Sequence, residues 1–372
     1  MKISLFIAAF FVGTASVFAT KARIIALGNS FHLVDEQYAY TNPMNLQFMG
    51  NLIAIESGLT APTNNRNNAE GIISYALNDH SRLAVQLGKV DDSMSNQRIF
   101  INSRVGAGTY ILPQNPLHIM YGAVIGDSIL YTGITYSAKN DKVNDLMEGT
   151  SGLILSVKTG PTILFLNYSL TNKVEAAGAM AFKGDGNLKI AVRHKPANIM
   201  YGADFISWQA QSSISGSITE DFTLQTAIVR AAYVEKSEGT EIFYGAQLNA
   251  TRVHCNKTVS VNCSSDFARI SMPLYTGIEI LAQEWLVVRG SISQSVVIDR
   301  LQDEIGLATS SGVNGATGVA ADYESAPNNT TMAAGLGLKA KSITVDGVLA
   351  ASTTQNLNSL SFLTQLGLIY RF

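Results

Sequence analysis

"RISMPLYTGIEILAQEWLVVRGSISQSVV", residues 269–297, is the stretch whose reading decides the fold. Ile270, Met272, Leu274, Ile278 and Ile280 share one parity, and Ser271, Tyr275, Gly277 and Glu279 share the other. Beyond Gln283 and Glu284 the alternation resumes, with Leu286, Val288, Ile292 and Val296 opposed to Arg289, Ser291, Ser293 and Ser295. Successive side chains of an extended chain point to opposite sides, so each run has one apolar and one polar face. The short join between the runs makes them a hairpin. "NLKIAVRH" (187–194) repeats the pattern, with Leu188, Ile190 and Val192 on one face and Lys189 and Arg193 on the other.

Working outward, runs of roughly ten alternating residues recur from Asn51 to the end, as strands crossing a bilayer would. Strands are expected to begin near residues 51, 71, 82, 117, 129, 151, 162, 187, 198, 222, 241, 268, 285, 330, 343 and 361. Tight joins at 79–81, 126–128, 158–161, 194–197, 283–284 and 341–342 alternate with long polar loops at 59–71, 140–150, 254–267 and 299–329. A sandwich with one wet face would also alternate. Strict succession of short and long joins, however, puts every short turn at one end, the layout of an outer-membrane barrel. The expected fold is therefore all-β: a transmembrane antiparallel barrel over 51–372, of about 16 strands, with 14 as the alternative. Residues 91–116 and 172–186 are where a hairpin could be lost or gained, and Arg230, on the parity of Leu224 and Ile228, predicts a β-bulge.

Composition agrees with a wall between oil and water. Charged residues are 15% of the 372, against a usual ~25%. The net charge of -2, without any block of like charge, excludes a nucleic-acid partner. At the N-terminus, Lys2, the apolar run Ile3–Val12 and Val17-Phe18-Ala19 have the layout of a signal peptide (1–19), with removal expected after Ala19. The apolar run is shorter than the ~20 residues of a spanning anchor. Residues 20–50 do not alternate, and they read as a compact segment on the periplasmic side that could sit in the lumen as a plug.

Three stretches resemble the outer-membrane barrel family of the fatty-acid transporter FadL and the PorV-type proteins. These are Ala22-Arg23, Ala26-Leu27-Gly28, Asp35-Glu36 and Asn42-Pro43-Met44 near the start, then residues 272–293 and 330–351. Met44 stands where the family has Ala. The resemblance implies a barrel with an N-terminal plug, in which Asn42 and Pro43 belong to the plug motif, and which passes or binds poorly soluble small molecules or serves as an adaptor. Family members have 14 strands, fewer than this reading gives.

Inward parity gives a set of lumen-lining charges: Lys158, Lys189, Arg193, Arg289, Lys339, Lys341 and Arg371 against Asp204, Glu279 and Asp346. Their cationic excess predicts a mild anion preference. Cys255 and Cys263, with seven residues between them in one external loop, read as a disulfide in an exported protein. Phe362, Leu366, Leu368, Tyr370 and Phe372 form a closing strand that also resembles the assembly signal of outer-membrane barrels. Trp208, Trp285, Tyr370 and Phe372 are expected in the aromatic girdles. No catalytic residue, metal site or cofactor is expected. "GDSIL" (126–130), which resembles an esterase motif, reads as turn chemistry, and the five histidines lack metal-binding spacing. Asp299, Asp303 and Glu304 read as solvated charges of a loop that could fold inward.

The expected function is a porin-like channel for passive diffusion of ions and small solutes. The alternatives are a FadL-like carrier of hydrophobic molecules and a non-transporting adaptor or structural barrel. Expected partners are outer-membrane lipid and lipopolysaccharide, small solutes or hydrophobic ligands, the barrel assembly machinery and, possible for such barrels, a homo-oligomeric copy.

Overall fold

The computed structural model describes residues 20–33, 39, 45–46, 49–58, 69–90, 92–105, 110–113, 116–141, 146–176, 179–258, 267–302, 329–352 and 365–372. Sixteen strands stand among them: β1 (Leu52–Gly58), β2 (Ala69–Asn78), β3 (Ser81–Leu87), β4 (Leu117–Ile125), β5 (Ser128–Asp141), β6 (Leu146–Thr159), β7 (Thr162–Ala176), β8 (Met180–His194), β9 (Ile199–Ile214), β10 (Ser217–Ser237), β11 (Thr240–Thr258), β12 (Phe267–Gln283), β13 (Leu286–Gln302), β14 (Asn329–Ala340), β15 (Ile343–Ser352) and β16 (Gln365–Arg371). Helix α1 (Lys21–Ala26) precedes them and α2 (Asp92–Val105) lies between β3 and β4. Each strand pairs antiparallel with its sequence neighbour, and β1 pairs with β16 from Leu52↔Arg371 to Gly58↔Gln365, closing the barrel. The count is sixteen rather than fourteen, because 91–116 holds α2 and 172–186 is taken up by β7 and β8 extending toward each other.

The apolar parity faces outward. Ile55, Ile73, Leu164, Val229 and Leu336 are 51–60% exposed, which a chain in water would not tolerate as a continuous belt. Facing lipid, the same residues are in their proper solvent, and closure leaves no backbone edge to be desolvated. Leu366, Leu368, Tyr370 and Phe372 join this belt, while Gly367, Ile369 and Arg371 face inward. Phe362 lies outside the described residues.

Some strands run far beyond a bilayer's need. A crossing takes about 9–11 residues, whereas β10 has 21 and β11 has 19. Their external ends carry outward polar groups that bond to one another: Gln209, Gln211 and Asn256 all donate to Asp221. At the top of the β9–β10 hairpin the turn is Ser215-Gly216, both at positive φ (49° and 79°), the geometry whose twist suits a two-residue hairpin.

Two expectations are corrected. No register shift occurs at Arg230; the shifts in β10 lie at 218/220 and 221/222, so Leu224, Ile228 and Arg230 all face inward. Trp208 is no girdle residue: it points into the lumen and is 1% exposed. Trp208 and Leu224 face a helix inside the barrel, and Arg230 faces Phe31 of the N-terminal segment, both described below. Trp285, by contrast, is exposed at the β12–β13 turn.

Phe372 stacks on Tyr370 at 6.2 Å between ring centroids on the lipid side of the closing strand. Deleting Phe372 is expected to lower the yield of folded barrel in the membrane, read as loss of the heat-modifiable band on semi-native gels, while the barrels that do form keep their conductance.

Candidate functional site in the barrel lumen

Two segments of the chain fold into the lumen. The first begins at Thr20, the N-cap of α1, which is fully buried against β15 and β16. Thr20 Oγ1 donates to Asp346 at 3.1 Å. One turn on, Arg23 donates to both oxygens of Glu279 at 2.6 and 3.2 Å, and Arg289 bridges Glu279 and Asp346, each at 2.6 Å. Buried charges persist only when paired and hydrogen-bonded; here two guanidiniums meet two carboxylates, and if the segment leaves, Glu279 and Asp346 share Arg289 alone. The wall is shaped to receive it. A Cβ at Gly367 would sit 2.3 Å from Thr20 Cβ, and one at Gly335 would sit 2.5 Å from Ala26 Cβ.

Beyond α1, Gly28 and Asn29 take positive φ (66° and 54°) and turn the chain across the barrel floor. Phe31 then lies beneath the guanidiniums of Arg193 and Arg230, 5.7 and 5.4 Å from its centroid, and both arginines bond Asp204. His32 is hydrogen-bonded on both sides, to Ser30 Oγ through Nδ1 (2.7 Å) and to Glu241 through Nε2 (2.9 Å). Burial, the largest influence, lowers the His32 pKa from its ordinary value, partly countered by Glu241. A neutral ring with the proton on Nε2, donating to Glu241 and accepting from Ser30, satisfies both contacts. Ala39, Leu46 and Met49 then pack on the opposite wall, against a cluster containing Ile72, Ala84, Met120, Ile154 and Phe165. All these contacts sit at the short-turn end of the strands. Asn42 and Pro43 lie outside the described residues.

The second segment is the join after β3. Helix α2 presses against β8 and β9 from within: Phe100 meets Trp208 and Phe222 edge-on at 5.6 and 5.1 Å, in a cluster with Phe182, Leu224 and Val253. This is why β10 carries apolar residues on its lumen parity. Arg98 pins the helix to β6 and β7, donating to Glu148 (3.0 Å), Thr150 (3.0 Å) and Asn172 (2.8 Å). Burial pulls its pKa down to about 10, which leaves it charged at neutral pH. Tyr110 extends the bridge by contacting Ser212 Oγ at 2.7 Å. The join between β3 and β4 folds inward; of the loop 299–329, expected to be able to do so, residues 303–328 lie outside the described residues.

Of the charges read as lumen-lining, Lys158, Lys189, Arg193, Asp204, Glu279, Arg289, Lys339, Asp346 and Arg371 occupy inward positions on their strands. Lys189 Nζ lies over Phe165 at 5.7 Å, and Arg371 donates to Thr344 at 3.3 Å. Lys341 does not line the lumen: it is exposed in the β14–β15 turn, at φ 51°. Arg193, Asp204, Glu279, Arg289 and Asp346 are locked in ion pairs, so the summed positive field expected from the sequence is largely cancelled at short range. Sequence reasoning missed Arg23, Glu56, Arg98, Glu148, Arg230 and Glu241. Glu56 was findable as the acid on the inward parity of the first strand; the partner of Arg98 was not, because a loop helix has no fixed register with the wall.

Cys255 faces inward in the α2 cluster, and Cys263 lies outside the described residues, so their bridge stands as a proposal. Gly126-Asp127 is the β4–β5 turn, and Ser128 Oγ is 3.0 Å from Thr159 Oγ1 in an exposed position, a surface contact rather than a nucleophile's setting. Among the described residues, no group of three or more His, Cys, Asp or Glu could hold a metal.

Comparison with solved structures finds outer-membrane proteins at low identity and low superposition scores. Similar structures include the outer membrane channel DcaP of Acinetobacter baumannii, 10% identical over 85% of this chain and 100% of that one, TM-score 0.39. The toluene transporter TbuX of Ralstonia pickettii is 12% identical over 96% and 99%, TM-score 0.40, and the monoaromatic hydrocarbon channel CymD is 10% identical over 94% and 97%, TM-score 0.39. The fold rests on the chain's own ladders and surface: a closed antiparallel barrel with an outward apolar belt, as an outer-membrane barrel has. No family model and no curated protein matches the sequence. The sixteen strands also depart from the fourteen that the FadL resemblance implied.

Two substitutions probe these segments. Gly367→Leu puts a side chain where Thr20 sits and is expected to release α1, read as faster tryptic cleavage after Lys21 and Arg23 in the folded barrel. Arg98→Ala leaves Glu148 buried without its cation, a loss of about 3–5 kcal/mol. It should raise hydrogen exchange across α2 and leave the β10–β11 ladder protected.

Proposed function

We propose that the chain is exported with removal of residues 1–19 and resides in the outer membrane as a gated passage for small molecules rather than a standing open pore. The observation that carries this reading is the pair of inward segments. Residues 20–33 cross the floor of the barrel from β16 to β8, and α2 bridges the wall nearer the external end, both held by buried ion pairs. Sixteen strands enclose a lumen wide enough for water, and these contacts occupy part of it.

The inner wall supports a substrate with an apolar part. From β2 to β7 its apolar inward residues Ile72, Ala84, Met120, Ile154 and Phe165 lie under Ala39, Leu46 and Met49 of the inward chain, so displacing that chain would uncover them. Uncovered, that patch would offer a passing molecule an apolar contact. This favours the carrier over simple diffusion of ions, with passage governed by displacement of the floor segment, and it assigns the protein no catalytic role.

In planar bilayers the intact protein is expected to give rare, small openings, and removal of residues 20–50 from the mature chain to give large, steady ones. Large steady openings from the intact protein would return the reading to a porin.

A further inference from the structure

Glu56 on β1 and Glu70 on β2 stand directly opposite each other in the ladder, both facing inward. Like charges so placed repel, and a buried carboxylate calls for a cation. Glu56 is 5% exposed, and Glu70 Oε2 is buried with no hydrogen-bond partner. Among the described residues the cation in ion-pair contact with them is Lys21, whose Nζ is 3.6 Å from Glu70 Oε1 and whose side chain is 38% exposed. Next to them, Arg23 and Arg289 match Glu279 and Asp346 one for one. Lys89 acts electrostatically on Glu56, and Lys339 interacts in the same way with Glu279 and Asp346. Among the described residues, the four carboxylates Glu56, Glu70, Glu279 and Asp346 meet three cations, Lys21, Arg23 and Arg289, in ion-pair contact.

The place of the missing charge is visible. Lys21 N–H donates to Glu56 Oε1 at 2.7 Å, and the hydroxyl of Thr20 donates to Asp346. Consecutive backbone nitrogens are about 3.5 Å apart, so the nitrogen of Thr20 lies no more than about 6 Å from the nearest oxygen of Glu56 and of Asp346. Thr20 itself is fully buried, in a wall that only a glycine at 367 leaves open.

We propose that Glu56, Glu70 and Asp346 form the seat of the mature chain's own α-ammonium group, so that leader removal is what locks the floor segment in place. The proposal rests on cleavage after Ala19. Hydrolysis adds one water across the Ala19–Thr20 bond, leaving a carboxylate on Ala19 and an amine on Thr20. That amine, with an ordinary pKa of about 7.7–8.0, takes a proton at neutral pH. A neutral amide with one N–H thereby becomes a cation with three donors beside carboxylates that lack one. The positive end of α1 opposes this, but α1 has only six residues and two carboxylates lie within reach. In the precursor the same nitrogen carries no charge and is tied to nineteen preceding residues, so the lumen closes only as the protein matures.

The test uses protein purified from the outer membrane. Intact mass is read first, then acylation of the Thr20 α-amine by an N-hydroxysuccinimide ester is followed by peptide mapping against exposed lysines. A seated ammonium should acylate at least about tenfold more slowly than a free terminal amine, one pKa unit's worth, and Glu56→Gln should remove most of that protection. Refolded chains give a second reading: one beginning at Thr20 should resist trypsin after Arg23, and one carrying Gly-Ser ahead of Thr20 should be cut faster. A mass that begins elsewhere than Thr20 overturns both the processing and the seat. A mass beginning at Thr20, with acylation as fast as at exposed lysines and no effect of Glu56→Gln or of the extension, overturns the seat alone.

Discussion

In hydrocarbon an unpaired backbone N–H has no water to turn to, and the ladder between Leu52–Gly58 and Gln365–Arg371 is where this chain meets that demand. Every other strand pairs with a neighbour in sequence, so local hairpins could form it; this pair alone joins the two ends of the barrel. Once it forms, sixteen strands share a closed ring and the outward apolar belt has a lipid to face. The inward parity is then released from hydrophobic duty and can hold charge, which is why Glu279, Arg289 and Asp346 can stand within one network at the floor.

The wall was legible in the sequence because lipid on one side and water on the other write a period of two into each strand. Expected strand starts fall within two residues of the observed ones at the short-turn end. The larger errors, at β6, β8, β10 and β16, all lie at the external end. There the strands rise past the bilayer, the outer face is polar while the inner face carries residues such as Phe182 and Phe222 that pack under α2, and the period carries no message about lipid. The same reasoning explains Trp208 and Arg230. Parity tells in from out, but it cannot tell whether what lies inside is water or another piece of the protein. Phe100 and Phe31 supply that answer, and neither sits on a strand.

The floor segment and α2 use different chemistry for the same task. The floor is held by ion pairs and hydrogen bonds, Arg23 to Glu279 and His32 to Glu241, with a modest apolar set around Leu27, Leu33 and Phe243. Helix α2 is held by aromatic packing and, among the described residues, by the buried charge contact of Arg98 with Glu148. Ionic contacts with ready alternatives in water can be exchanged one at a time, whereas an aromatic cluster is lost or kept as a whole. The floor is thus the more exchangeable of the two.

The ladders around the ring are also unequal. β10 and β11 are joined through eighteen facing residue pairs, β1 and β16 through seven, and β15 and β16 through six. A ring of unequal rungs is thinnest where they are fewest, in the arc β15–β16–β1–β2. The line at which the last strand meets the first runs through the middle of that arc, and Thr20, wedged against Gly367 on that line, is a rivet across it.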